Sequence, residues 1–373
     1  MIPVYRPRIS ARETELVREC LETGWISSRG RFVPEFESRF AAYVGARRAT
    51  STCNGTVALH LALLATGVGA GDEVIVPSLT YVASANAIVM CGATPVFVDS
   101  DPDTWQMDAA CVELAMGPRT KAVLAVHLYG HPCDMDRLPQ LCSERGIALV
   151  EDCAEAIGTR WRGRHVGTFG TVSTFSFFGN KTITTGEGGM VVSNEDHVLD
   201  RAHLLKTQGV SPKREYWHEV LGYNYRMTNV CAAIGCAQME SIDEVVVRKV
   251  EIAARYRSNL DVPGVTFHGE ADGALNSYWM CSALMPTRNA REQARRDLAE
   301  RGIETRPFFH PAHLLPIYAD RNRGLRLAVA EDLSGRGISL PSYPDLSDDE
   351  IDSICDALRE SIAAAQLDSR ARR

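Results

Sequence analysis

No run of about 18 consecutive apolar residues occurs in this 373-residue chain, so no membrane-spanning helix is expected. The opening residues, Met1-Ile2-Pro3-Val4-Tyr5-Arg6-Pro7, lack the apolar stretch of a secretory signal, and none is expected. Basic charge is in deficit: 40 Lys and Arg stand against 47 Asp and Glu, a formal net charge of -7. That argues against nucleic acid as the main partner but leaves room for a small anion at a local site. The 11 cysteines are odd in number and include no CxxC pair, the nearest two being Cys231 and Cys236. This excludes a zinc knuckle and a disulfide framework, and the reducing cytoplasm is the expected compartment. Cys91, Cys142 and Cys281 lie in apolar runs and read as small hydrophobes. His127, His131, His310 and His313 lack metal-ligand spacing, so no metal is expected. Repeats, low-complexity tracts and long linkers are also missing.

Two nucleotide motifs are missing too. Gly179-Asn180-Lys181-Thr182 fails the P-loop spacing, because Asn180 separates the glycine from the lysine. Gly67-Val68-Gly69-Ala70-Gly71 follows a helical pattern and precedes a strand, the reverse of a dinucleotide fingerprint.

What is present is a rhythm. Val74-Ile75-Val76, Val96-Phe97-Val98, Ala122 to Val126, Ile147 to Val150 and Met190-Val191-Val192 are short continuous apolar runs. Continuous rather than alternating runs predict strands covered on both faces. Helical lengths separate them, as from Gly55 to Thr66, Val82 to Cys91 and Met135 to Arg145. The pattern predicts an α/β fold with a mainly parallel sheet wound by helices, whose ligands bind after the strand ends. Beyond about residue 240 the texture changes. A charged helix over Ile242 to Asn259 leads to strand-like Val265 to His268 and Tyr278 to Met285, then a helix over Arg288 to Arg301. Residues 1–240 are therefore expected to form a large domain and 241–373 a smaller αβ domain. Ser347 with Glu350 predicts a capping box on the last helix, and the tail from Asp368 to Arg373 is expected to fray.

Several side chains sit where that architecture puts ligands. Lys181 follows the apolar Ser173 to Phe178 and precedes the turn Gly186-Glu187-Gly188-Gly189. It is either a solvated charge or an amine held for Schiff-base chemistry with an aldehyde cofactor. Asn54-Gly55-Thr56 opens a helix, as an ordinary N-cap or as a phosphate site with free N–H groups and the Thr56 hydroxyl. Asp152 ends a strand, as a helix cap or as the partner of a protonated pyridine nitrogen, with Glu155 near enough to reach the same ring or the substrate. Tyr81 either stacks on a flat ring or joins the core. Arg226 in Tyr223-Asn224-Tyr225-Arg226 either clamps a carboxylate or forms a surface ion pair.

Together and in this order, these motifs resemble the DegT/DnrJ/EryC1/StrS family of sugar-nucleotide aminotransferases. The likeness runs from Gly24-Trp25-Ile26-Ser27-Ser28 to Glu304-Thr305-Arg306-Pro307-Phe308-Phe309. It implies PLP fold type I, the aspartate aminotransferase-like architecture, with pyridoxal 5'-phosphate as cofactor. It implies that Lys181 forms the Schiff base and moves protons, and that Asp152 pairs with the ring nitrogen. It implies that Gly55, Thr56 and Ser176 hold the phosphate and Tyr81 stacks on the ring. Asn224 would reach the phosphate of a neighbouring subunit, since family sites are shared across a homodimer. Trp25, Ser27, Arg226, Arg306 and His310 are the expected substrate contacts. The implied reaction moves the amino group of L-glutamate to a nucleotide-linked keto-6-deoxyhexose, with GDP-4-keto-6-deoxymannose foremost. A 3-keto sugar or a dTDP- or UDP-linked one is the alternative. Family dehydratases carry His at the Schiff-base position, so Lys181 speaks against dehydration; together with Asp152 it speaks against a non-catalytic regulator. The chain departs from the family pattern at Cys53, Phe178, Cys231 and His310, where Ser, Tyr, Gln and Tyr are usual. The first three are expected to be packing changes, and His310 to bear on the sugar.

Overall fold

The computed structural model describes residues 1–371, with side chains described through residue 364. Two helices, α1 (Ala11–Thr23) and α2 (Phe32–Val44), precede β1 (Arg48–Thr52). Then α3 (Gly55–Ala65), β2 (Glu73–Pro77), α4 (Ala83–Met90), β3 (Thr94–Val98), α5 (Ala109–Ala115), β4 (Thr120–Val126), α6 (Arg137–Arg145) and β5 (Ala148–Asp152) alternate. The short ribbon β6 (Arg160–Trp161) and β7 (Arg164–His165) leads to β8 (Val172–Ser176) and β9 (Gly189–Ser193). The seven-stranded sheet runs β1-β9-β8-β5-β4-β2-β3, with β9 antiparallel to both of its neighbours and the other pairs parallel. Consequently β1, β2, β4, β5 and β8 all end along one edge of the sheet.

The continuous apolar runs form these strands because both faces are covered. Val74, Val76, Leu124, Val150, Val172 and Val191 pack under α3 and α4. On the other face Phe175, Met190 and Val192 meet α2 and α8 (Asn229–Met239), while Ile75, Val123 and Leu149 meet α5 and α6. Phe40 lies 4.8 Å from Phe175 and 5.2 Å from Phe177, and Phe36 5.0 Å from Phe177, edge-on or tilted. This aromatic wedge fixes the chain that enters the Lys181 turn.

After α7 (Asp196–Lys206) and α8, the long α9 (Ile242–Asn259) leads to a second sheet. Its strands β11 (Cys281–Leu284), β12 (Arg306–Pro307) and β13 (Gly337–Leu340) are antiparallel, in the order β11-β13-β12. The pair β10 (Ala274–Leu275) joins the β6–β7 ribbon instead. Helices α10 (Arg288–Glu300) and α13 (Asp348–Ala371) pack around a core that includes Ile252, Tyr256, Leu298, Ile338, Ile354 and Leu358. Between β12 and β13, α11 (Pro316–Ala319) and α12 (Ala328–Arg336) return to the large sheet's helical face, where Tyr318, Leu327 and Leu333 are buried. The N-terminus crosses over as well: Ile2 pairs with Ile303 and the Val4 N–H donates to Glu304 Oε2 at 3.1 Å.

Two local expectations change. The strand expected over Val265 to His268 reduces to one bridge, Thr266 with Leu284. The chain is drawn off because His268 packs edge-on against Trp105 at 5.0 Å and the Gly269 N–H donates to Asp103 O at 2.7 Å. The tail expected to fray from Asp368 is helical to Ala371, while residues 372 and 373 lie outside the described residues. The capping box forms: the Glu350 N–H donates to Ser347 Oγ and the Ser347 N–H to Glu350 Oε2. Among the described residues, no helix is long and apolar enough to cross a membrane.

Candidate active site

The strand ends bring together what the sequence spaces far apart. Asn54 caps α3 by accepting the Val57 N–H at 3.0 Å, and its carbonyl takes the Ala58 N–H. The N–H groups of Gly55 and Thr56 are then the ones facing out from the helix start, where the dipole favours an anion. Gly55 is required because a Cβ there would stand 2.8 Å from the Ser176 Cβ. Helix start and β8 end thus form a close cradle with the Ser176 hydroxyl at its wall.

Asp152 ends β5 and is buried. Its Oδ2 accepts from Ser84 Oγ at 2.8 Å and its Oδ1 from the Ala154 N–H at 3.1 Å. Burial pushes its carboxyl pKa up, against those hydrogen bonds and the attraction of Lys181. A carboxylate in that state gains from a cationic hydrogen-bond donor beside it.

Lys181 lies in a tight turn in which its own N–H donates to Phe178 O at 2.9 Å. Its Nζ is 3.7 Å from Glu155 Oε1 and 4.0 Å from the centre of the Trp279 ring. Glu155 is buried, and its other oxygen accepts the Tyr129 N–H at 2.9 Å. Tyr129 supplies that N–H from a left-handed backbone turn with φ 55°. Burial pushes Glu155 up to about 7, with Lys181 pulling the other way. Burial also pushes the Lys181 amine down, against Glu155 and Asp152. The gap in proton affinity between acid and amine is narrowed, which suits proton movement near neutral pH.

Of the other expected residues, Tyr81 is exposed just past β2, its ring tilted 5.6 Å from Phe309. Asn224 and Arg226 form a separate exposed pair: the Arg226 guanidinium donates to Asn224 Oδ1 at 2.9 Å. The intervening Tyr225 turns inward, its carbonyl accepting the Cys53 N–H at 2.9 Å. Trp25 and Ser27 are exposed, as are His310 and Arg306, the last paired with Glu304 at 2.8 Å. Among the described residues none of these seven is hydrogen-bonded or ion-paired to Lys181, Glu155 or Asp152. Cys53 and Cys231 are half-buried, whereas Phe178, expected as a packing change, is about half exposed. Ser84, Tyr129 and Trp279 were not expected from the sequence. Ser84 alone had a local signal, one helical turn after Tyr81.

The buried trio His127, Glu151 and Cys153 has ligand atoms within 4.8 Å of one another. The lone pairs of Glu151 and His127 are already engaged. Glu151 accepts from His127 Nε2 and from the N–H groups of Gly167, Phe169 and Gly170. His127 Nδ1 accepts the Cys133 N–H at 3.0 Å, which makes the ring the neutral Nε2–H tautomer. The trio is a hydrogen-bonded hub holding the ends of β4 and β5 together.

An anion cradle, a buried carboxylate and an amine beside a buried acid match what pyridoxal phosphate presents: a phosphate, a ring nitrogen and an aldehyde. The residues present therefore fit that cofactor.

Comparison with known proteins agrees. The chain is 52% identical over 359 residues to a GDP-perosamine synthase of Escherichia coli O157:H7, covering 96% of this chain and 98% of that one. It is 48% identical over 364 residues to one from Vibrio cholerae, again covering 96% and 98%. The solved aminotransferase TlmJ of Streptoalloteichus hindustanus superposes with a TM-score of 0.93 at 35% identity, covering 98% of this chain and all of that one. The model of the DegT/DnrJ/EryC1/StrS aminotransferase family matches residues 7–359, and the chain belongs to that family.

Proposed function

We propose that this aminotransferase moves the amino group of L-glutamate to GDP-4-keto-6-deoxymannose, giving GDP-perosamine, with pyridoxal 5'-phosphate as cofactor. The observation that carries the sugar assignment is the 52% identity, over nearly the whole of both chains, to a GDP-perosamine synthase. The Lys181 amine against the buried Glu155, beside Asp152, carries the chemistry.

When bound, the cofactor supplies an aldehyde that condenses with amines and a pyridinium that accepts the electron pair left by a broken Cα–H bond. The chain's own residues do the rest. Gly55 and Thr56 offer backbone N–H groups and Ser176 a hydroxyl to the phosphate. Asp152, held by Ser84, sets a negative charge against the ring nitrogen. Lys181 would take the proton from the amino acid's α-carbon and hold it on Nζ for return, with Glu155 Oε1 3.7 Å from that amine. Tyr81 would stack on the ring, while the buried Tyr129 and Trp279 pack behind the lysine. Amine donor and ketosugar use the same residues in turn, so the kinetics are ping-pong.

Asn224 serves the site of a second copy in a homodimer, and Arg226 beside it contacts the substrate. Trp25, Ser27, Arg306 and His310 contact the nucleotide sugar. Residues 1–240 and 241–373 are the two units of this reading. Its compartment is the cytoplasm, in keeping with 11 free cysteines. Incubation with L-glutamate and a panel of GDP-, dTDP- and UDP-linked 4-keto and 3-keto sugars, read by product mass, is the test. Amination of the GDP-linked 4-keto sugar at the highest kcat/KM is expected. Preference for another sugar would overturn the substrate, and no glutamate-dependent amination at all would overturn the reaction.

A further inference from the structure

Lys181 is held by groups that come from outside the sheet it follows. Trp279, 99 positions beyond Asn180, donates its indole N–H to the Asn180 carbonyl at 2.7 Å. Tyr5 of the N-terminal segment donates its hydroxyl to the next carbonyl, that of Lys181 itself. Neither carbonyl belongs to a strand or helix, so each needs such a donor when buried. The same indole turns its face to the lysine side chain, with Nζ 4.0 Å from the ring centre. Its position is fixed in turn: Trp279 is buried, and its ring lies within 5° of parallel to that of Tyr129, 6.3 Å away.

We propose that Trp279 is a positioning residue for Lys181, its edge fixing the lysine turn and its face holding the free amine in the protonated form between proton transfers. The inference rests on Lys181 being the reactive amine, as argued above. An aromatic face attracts an ammonium by its quadrupole, most strongly where water is excluded, and has much less hold on a neutral amine. Unlike a carboxylate, an indole in that place cannot take the proton away. The titratable groups that face the amine are Glu155 and Asp152. Tyr5 faces its carbonyl, with Lys249 Nζ 5.3 Å from the Tyr5 ring. Both carboxylates favour the ammonium and burial opposes it, so the indole adds to the first side of a balanced site.

The test labels the full-length chain, freed of cofactor, with a trace amount of an amine-acylating reagent across a pH series. Mass spectrometry of the Lys181 peptide gives the rate, which tracks the neutral fraction of that amine. W279L is expected to lower the apparent pKa of Lys181 by about one unit, which is about 1.4 kcal/mol of lost preference for the ammonium. Below that pKa, labelling becomes about tenfold faster. W279F keeps a ring face and stays within about twofold of wild type. A second arm leaves packing intact: the wild-type chain is produced with fluorinated tryptophans, which weaken the quadrupole stepwise, and labelling should quicken in the same steps. If W279L fails to fold, this arm decides. Rates unmoved by fluorination, or equal in folded W279L and wild type, overturn the proposal. Because the readout is the amine itself, failure here is distinct from a wild-type enzyme that aminates no sugar.

Discussion

Asp152→Asn separates the chemical role of this carboxylate from its structural one. The side chain accepts two hydrogen bonds, from Ser84 Oγ at 2.8 Å and the Ala154 N–H at 3.1 Å. Asparagine keeps the shape. Its oxygen can accept the Ala154 N–H, and its amide can donate to Ser84 Oγ, whose proton then turns to Thr80 Oγ1 at 3.2 Å. What disappears is the charge. Removing one member of a buried ion pair costs about 3–5 kcal/mol. If that pair is Asp152 with a protonated ring nitrogen, the glutamate half-reaction slows by roughly two to four orders of magnitude. Rapid mixing of the cofactor-loaded variant with L-glutamate, followed through the visible band, measures it. A rate within about tenfold of wild type would refute the assignment of Asp152 to the ring.

Stability moves the other way. The folded-state pKa of Asp152 is raised, and burial is the main cause. An acid of this kind binds its proton more tightly when folded, so its ionisation costs stability as pH rises from the unfolded value through the folded one. The cofactor-free variant is therefore expected to melt at or above wild type at pH 7, with the two curves converging below about pH 4. A variant that melted well below wild type while keeping its half-reaction rate would reverse both conclusions.

Gly55→Ala places a methyl 2.8 Å from the Ser176 Cβ, so the helix start must shift. The cost is about 1–3 kcal/mol, and the dissociation constant for pyridoxal phosphate should rise more than about tenfold by equilibrium dialysis; unchanged affinity would remove this cradle from the phosphate site. Lys206→Met strands Glu37, since Lys206 Nζ donates to Glu37 Oε1 at 3.2 Å and Ser51 O at 2.8 Å. Urea unfolding should show a loss of about 3 kcal/mol with unchanged slope, and a loss under about 1 kcal/mol would mean that Glu37 is satisfied by Ser51 alone. Lys249 is buried, with its pKa pushed down to about 7, and donates to Ser342 O at 2.7 Å. A depressed amine favours folding only once neutral, so wild type should gain stability relative to Lys249→Met from about pH 7 to about pH 10. Melting curves that diverge in the opposite sense would contradict the burial assigned to this amine.

The sheet was legible because a strand covered on both faces must be apolar at every position. Val74 to Pro77 and Ala122 to Val126 therefore announce themselves without any neighbour. The same rule exposes part of the site: the polar Glu151-Asp152 that closes the run Ile147 to Val150 stands where the sheet ends and a ligand begins. Ser176 was legible only through the family resemblance, because Ser173 and Thr174 interrupt its strand. Gly55 was legible for another local reason, as the residue opening a helix behind an N-cap. Val265 to His268 misled because strand propensity is a statement about neighbours. Here the neighbours of His268 are Trp105 and Tyr278, which hold it away from β11.

The groups that tune Lys181 carry no such mark. Trp279 reaches the neighbouring Asn180 across 99 positions of sequence, and Tyr5 reaches Lys181 across 176. In sequence each is an ordinary aromatic in an apolar or N-terminal segment, and only chain reversal through the second sheet brings them to one turn. This division follows from what the two sets of residues must do. A residue that reacts has to stand at the end of an element, and the end of an element is written locally. A residue that sets another's proton affinity must approach it through space, from whichever segment the fold delivers. In this chain those segments are the N-terminal strap, pinned at Ile2 to Ile303, and the approach to β11. The lysine's proton affinity is thus tied to where the second sheet sits. Any change that moves β11 relative to β8 should alter the pH dependence of Lys181 labelling before it alters the fold of the large sheet.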